Sequence, residues 1–165
     1  MLDQTIFKSG YGVSTTAKAQ AEKNDCAVRA VANAFEVGYD TAHKFAAEVL
    51  GRKAKRGVIG MEAKFNNMKI VKFSGASAQM SLFPQANEFK ITVLKGMQLQ
   101  NRAYTHKKVK FTVKTFMQSH SVGTYMITVK GHALTIKDGV VLDNPNYRFS
   151  GYRRPVVGAI RVAKM

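Results

Sequence analysis

Two periodicities divide the chain. In CAVRAVANAF, residues 26 to 35, apolar side chains recur at helical spacing through Val28, Val31, Ala32 and Phe35. Asn24 and Asp25 stand just before this run and suit a helix N-cap. Gly38 breaks the pattern, and Asp40 then suits the cap of a second helix, TAHKFAAEVL, closed by Gly51 with basic residues beyond it. Gly57 and Gly60 punctuate a loop, after which MEAKFNNM predicts a short third helix. The second half alternates with a period of two. EFKITVLKG, YMITVKG, HALTIK, VVL and VGAIRVAK are rich in β-branched residues and bounded by glycine, aspartate or asparagine, which predicts strands. Thr112 to His120 reads as one short helix.

Helices first and an antiparallel sheet after them predict an α+β fold. The chain has three prolines, no repeat and no low-complexity linker, so residues 1–165 are expected to form a single domain. Asp138–Gly139, set between two alternating runs, predicts a hairpin with a two-residue turn. That turn places Lys137 opposite Val140, Leu134 opposite Asp143 and His132 opposite Pro145. Side chains two apart share a face of a strand, so His132, Leu134 and Asp143 are expected on one face and Asn144 on the other. Diagonal neighbours of this kind are about 7–8 Å apart at the backbone, a gap that an aspartate and an imidazole can bridge.

Composition changes the picture in two ways. No apolar run reaches the ~18–20 residues that span a bilayer. The N-terminus MLDQTIFKSGYG lacks the basic flank and apolar stretch of a signal peptide, so the expectation is a soluble, cytoplasmic protein without a transmembrane segment. Charge is the second: 26 Lys and Arg against 10 acids give +16. From Phe89 to Lys137 there is no acidic residue, and Arg52, Lys53, Lys55 and Arg56 form a tighter basic cluster. Such a surface either attracts a polyanion, nucleic acid or an acidic protein, or simply solubilises the chain.

Cys26 is the only cysteine, which excludes an internal disulfide and a multi-cysteine zinc site. It is then either a small packed hydrophobe or a reactive thiol. A lone cysteine is usually the first, but its place at the start of the first helix, where an anion is stabilised, keeps the second open. His132 and Asp143, facing one another on a hairpin, are either a base and its orienting carboxylate or a cross-strand polar residue and the start of the DNPN turn. Gln20, six residues before Cys26, has a side-chain amide able to donate to an oxyanion alongside the Cys26 N–H. His43, His106 and His120 are assigned no chemistry.

Taken together, Gln20, Asn24-Asp25-Cys26, Gly131-His132 and Leu142-Asp143-Asn144-Pro145 resemble the papain-like cysteine peptidases. The likeness is greatest to the branch that processes bacteriocin leader peptides, and the chain also resembles small papain-like proteins encoded by bacteriophages. Ala27 stands where the leader peptidases carry glycine, and Asn144 interrupts their Asp-Pro pair, which leaves Asp143 and Asn144 as alternatives for the orienting residue. The resemblance implies a papain-like fold, with N-terminal helices carrying the cysteine against a sheet carrying His and Asp. It also implies cleavage of a peptide or amide bond through a thioester, without metal or cofactor, on a peptide or protein substrate. A phage-encoded protein of this kind would work in the host cytoplasm or ride in the virion. Transglutaminases and arylamine acetyltransferases use the same residue order with other acceptors. The rival from a different class is a non-enzymatic, nucleic-acid-binding or virion-associated protein on the same scaffold.

Overall fold

The run CAVRAVANAF forms helix α1 (Cys26–Phe35), as its periodicity predicts. The computed structural model describes residues 7–8, 25–53, 61–73, 88–95, 97, 111–142 and 154–165. Among these, α1 is followed by α2 (Tyr39–Glu48), α3 (Met61–Asn66) and α4 (Val113–Ser119). The strands are β1 (Phe7–Lys8), β2 (Ile70–Lys72), β3 (Glu88–Val93), β4 (Thr124–Val129), β5 (His132–Lys137), β6 (Val140–Leu142) and β7 (Gly158–Lys164). They form one sheet in the order β1-β6-β5-β4-β7-β3-β2. Every pairing is antiparallel except β1 with β6 at one edge. The fold is thus α+β.

Alternation sorts the sheet into two faces. One carries Val71, Phe89, Ile91, Met126, Ala133, Ile160 and Val162 into a core shared with α1, α2 and α3. The other carries Tyr125, Ile127, Val129, Leu134, Ile136, Val141 and Ala159 into a second core with Val113 and Phe116 of α4. Because α1 lies between the sheet and α2, eight of its ten residues are buried, and its alanines allow that close approach. α2 starts one residue earlier than Asp40, with Gly38 at the N-cap, and Asp40 sits in the first turn, where its charge still suits the helix dipole. The predicted short helix is α4, and a reciprocal Thr112–Thr115 capping box, which the sequence reading did not single out, caps it.

The hairpin β5–β6 has the register that the Asp-Gly turn predicts, Lys137 opposite Val140. Asp138 (φ 49°) and Gly139 (φ 76°) both lie in the left-handed region, as a type I′ turn requires. Asp138 also accepts from Gly123 N–H at 2.8 Å, which ties the turn to the entry of β4. Gly139→Ala is expected to cost about 1–2 kcal/mol, read as a lower urea midpoint, since a Cβ is strained at that φ. Gly158 serves differently. A Cβ there would overlap the Glu62 carboxylate, which crosses over β7 to accept from the Thr128 hydroxyl.

Glu36 fastens the far end of α1. It takes the left-handed conformation just past the helix (φ 54°), where its carboxylate meets Lys137 of β5 and, at 2.6 Å, Lys164 of β7. Burial pushes its pKa up, but hydrogen bonds and charge from the two ammonium groups outweigh this and hold it below the ordinary value. The clamp therefore contributes above the ordinary carboxylate range and is lost as pH falls through the lowered value. Glu36→Gln should flatten the acid limb of a stability-against-pH curve measured by urea unfolding. An unchanged acid limb would show that the clamp contributes nothing.

Candidate active site at the head of α1

Cys26 opens α1 and is half-buried, packed at the margin of the core beneath the helices. Amide groups in the first turn of a helix have no acceptor within it, so the cysteine stands beside free backbone donors. Asp25 occupies the N-cap position but does not cap with its side chain. Its backbone (φ −99°, ψ 17°) is not extended, and the buried carboxylate instead accepts from Tyr39 Oη at 2.7 Å and Arg29 Nε at 2.9 Å. Arg29 in turn lies 5.1 Å from the Tyr39 ring centroid. Two bonds of this strength outweigh the cap the sequence predicts, and they tie the head of α1 to the first turn of α2. The Asp25–Arg29 spacing of four residues was a readable sign of an ion pair; the tyrosine was not.

Two contacts set the direction of α1 on the sheet. Thr135 Oγ1 of β5 donates to the Ala30 carbonyl at 2.7 Å, and Glu36 meets Lys137 at the end of the same strand. The helix and β5 therefore run the same way. Four residues back from Ala30 is ~6 Å along a helix axis, and two residues back from Thr135 is ~6.6 Å along a strand. Cys26 and Ala133 accordingly both border the core on that side of the sheet.

His132 heads β5 and is 5% exposed. It pairs with Val129, and alternation puts it with Leu134 and Ile136 on the face turned to α4. Ala133 and Thr135 are the residues that face α1. Alternation thus turns His132 to the face of β5 opposite the one that α1 covers. The Lys130–Gly131 turn, where Gly131 has φ 74°, forms the rim just before β5. Arg154 braces this rim by donating to the Lys130 carbonyl, a role the sequence did not signal. Gln20, Asp143 and Asn144 lie outside the described residues.

Of the other histidines, His106 lies outside the described residues, and His43 and His120 sit in packed settings. His43, on α2, is 3.4 Å from Arg52 Nη1, and its ring lies 6.2 Å from that of Tyr39. Arg52 is only 5% exposed, which removes it from the solvated basic cluster read in the sequence. His120 stacks on Phe116 with centroids 4.1 Å apart, inside a ring cluster with Phe111 and Tyr125. Among the described residues no group of three or more His, Cys, Asp or Glu side chains is placed to hold a metal ion. Nor is any described helix long and apolar enough to cross a membrane.

Comparison with protein-family models, with curated proteins and with solved structures gave no match. The resemblance to papain-like peptidases therefore rests on this chain's own residues.

Proposed function

We propose that this protein is a papain-like cysteine peptidase or amidohydrolase, encoded by a bacteriophage and acting on a peptide or protein in the host cytoplasm. One observation supports this reading above the others: Cys26 heads the buried helix α1 and is only half-buried, so its thiol stands at the positive end of a helix. In the proposed reaction the Cys26 sulfur attacks a peptide or amide carbonyl carbon while His132 takes the thiol proton. This transfer requires the imidazole to reach around the head of β5 from the face opposite α1. The tetrahedral oxyanion receives hydrogen bonds from the Cys26 N–H and the Gln20 amide. Collapse expels the amine, protonated by His132, and leaves a thioester. Water, deprotonated by His132, then releases the acid and restores the thiol. Asp143, or Asn144 in its place, orients the imidazole. The test is cleavage of a diverse peptide library together with labelling by an electrophilic thiol probe, comparing wild type with Cys26→Ala. Label that enters the native protein no faster than the urea-unfolded chain, with no peptide cleaved, would sink the proposal.

The rival, a polyanion-binding protein on this scaffold, draws on a different part of the molecule, the open face of β7, β3 and β2.

A further inference from the structure

The second core, under α4, covers β4, β5, β6 and the start of β7 at Ala159, but includes no described residue of β3 or β2. On that uncovered face Lys72, Lys90, Thr92 and Arg161 are exposed, and Ile70 is 54% exposed. The registers align three of these. Lys72 lies opposite Glu88, Lys90 opposite Ile70 and Ala163, and Arg161 opposite Thr92. Each successive basic residue is therefore one strand over and two residues along. Diagonal neighbours of this kind are about 7–8 Å apart. Lys72, Lys90 and Arg161 form a straight file of positive charge from the edge strand β2 across β3 to β7. The one carboxylate on the file's flank, Glu88, is held by Lys72 at 3.3 Å.

The charge of the whole chain limits what fits this file. At +16, a second copy brings the same sign to the contact and is repelled. A folded acidic protein offers carboxylates at irregular spacing, whereas a nucleic-acid strand offers one phosphate per residue in single file, matched to evenly spaced cations. Thr92 and Ile70 beside the file give a small polar and apolar floor for sugars and bases. No exposed aromatic ring lies among these face residues, so base stacking contributes little there and affinity is carried by phosphates. We propose that the Lys72–Lys90–Arg161 file binds the backbone of a single-stranded nucleic acid, without sequence preference. This surface is separate from Cys26 and does not depend on peptidase activity.

The experiment is fluorescence anisotropy of a labelled oligothymidylate, about 20 nucleotides long, titrated with the full chain at several salt concentrations. The double variant Lys90→Gln/Arg161→Gln should bind at least ~10-fold more weakly and lower the salt slope by about 1.4, two contacts at ~0.7 each. A control pair, Lys44→Gln/Lys53→Gln, removes the same charge from exposed positions at α2 and just beyond it, and should stay close to wild type. Cys26→Ala should bind as wild type does. Equal losses in the two double variants would overturn the assignment, as would displacement of the oligonucleotide by polyglutamate as readily as by unlabelled oligothymidylate. Photo-crosslinking of the unsubstituted protein to a thiothymidine-containing strand provides a readout free of mutation. Crosslinks in β2, β3 and β7 are expected, and crosslinks confined to α1 and α2 would refute the proposal.

Discussion

Cys26→Ala is expected to remove peptide hydrolysis altogether, a loss of about 10⁴-fold or more, while leaving the fold intact. The size follows from the role: a nucleophile that forms the covalent intermediate has no substitute, and deleting it leaves only the residual rate from binding and oxyanion contacts. The fold should survive because the side chain is small, half-buried, and replaced by the residue that already dominates α1. The same variant loses all thiol labelling, native or unfolded, since the chain holds no other cysteine. His132→Gln is the informative partner. It keeps a polar side chain at a 5%-exposed position, and should lower hydrolysis by a similar factor because nucleophile and base act as a unit. Retained hydrolysis in His132→Gln would mean that the rim between α1 and β5 does not carry the base. Retained hydrolysis in Cys26→Ala would remove the peptidase proposal as a whole.

Phe35→Ala should be the most damaging single change to stability, by about 3–5 kcal/mol. Phe35 is 1% exposed at the last turn of α1. Its ring meets Phe45 of α2 at 5.9 Å, Phe65 of α3 at 6.4 Å, Phe73 after β2 at 5.3 Å and Phe89 of β3 at 5.0 Å. One side chain therefore joins three helices to the outer half of the sheet. Removal loses both the buried area and the ring contacts, and leaves a void that four aromatic neighbours are too rigid to fill. Against a typical domain stability of ~5–15 kcal/mol, the loss is a large share of the total. Urea and thermal melts check this, with Phe35→Leu expected to recover roughly half the loss.

The elements most legible in the sequence were those fixed by local chemistry. α1 spans the residues its apolar spacing marks, and the Asp-Gly turn sets the β5–β6 register because two residues with positive φ admit one pairing. β1 and β2 were missed. Two and three residues are too short for a period to show, and Ile70–Lys72 alternates inward only at Val71. Asp25 was read as a cap because its best local use is a cap; Tyr39, fourteen residues on, offered a better one. Alternation placed His132 with Leu134, yet nothing local says which face of β5 the first helix covers. That choice belongs to Thr135, whose hydroxyl meets the Ala30 carbonyl, and to Ala133, small enough to admit the helix.

The strand order has a kinetic consequence. β7, the last strand in the chain, lies between β4 and β3 and joins the β4–β5–β6 meander to the β3–β2 pair. Among the described strands, the two halves of the sheet are hydrogen-bonded to one another only through residues 158–164. Joining them therefore requires pairing across sequence separations of about seventy residues between β3 and β7. Such distant pairings are slow to form, and meanwhile the flanking strands expose unpaired edges. In the cell, a sheet built this way is open to capture by a neighbouring chain until β7 is in place.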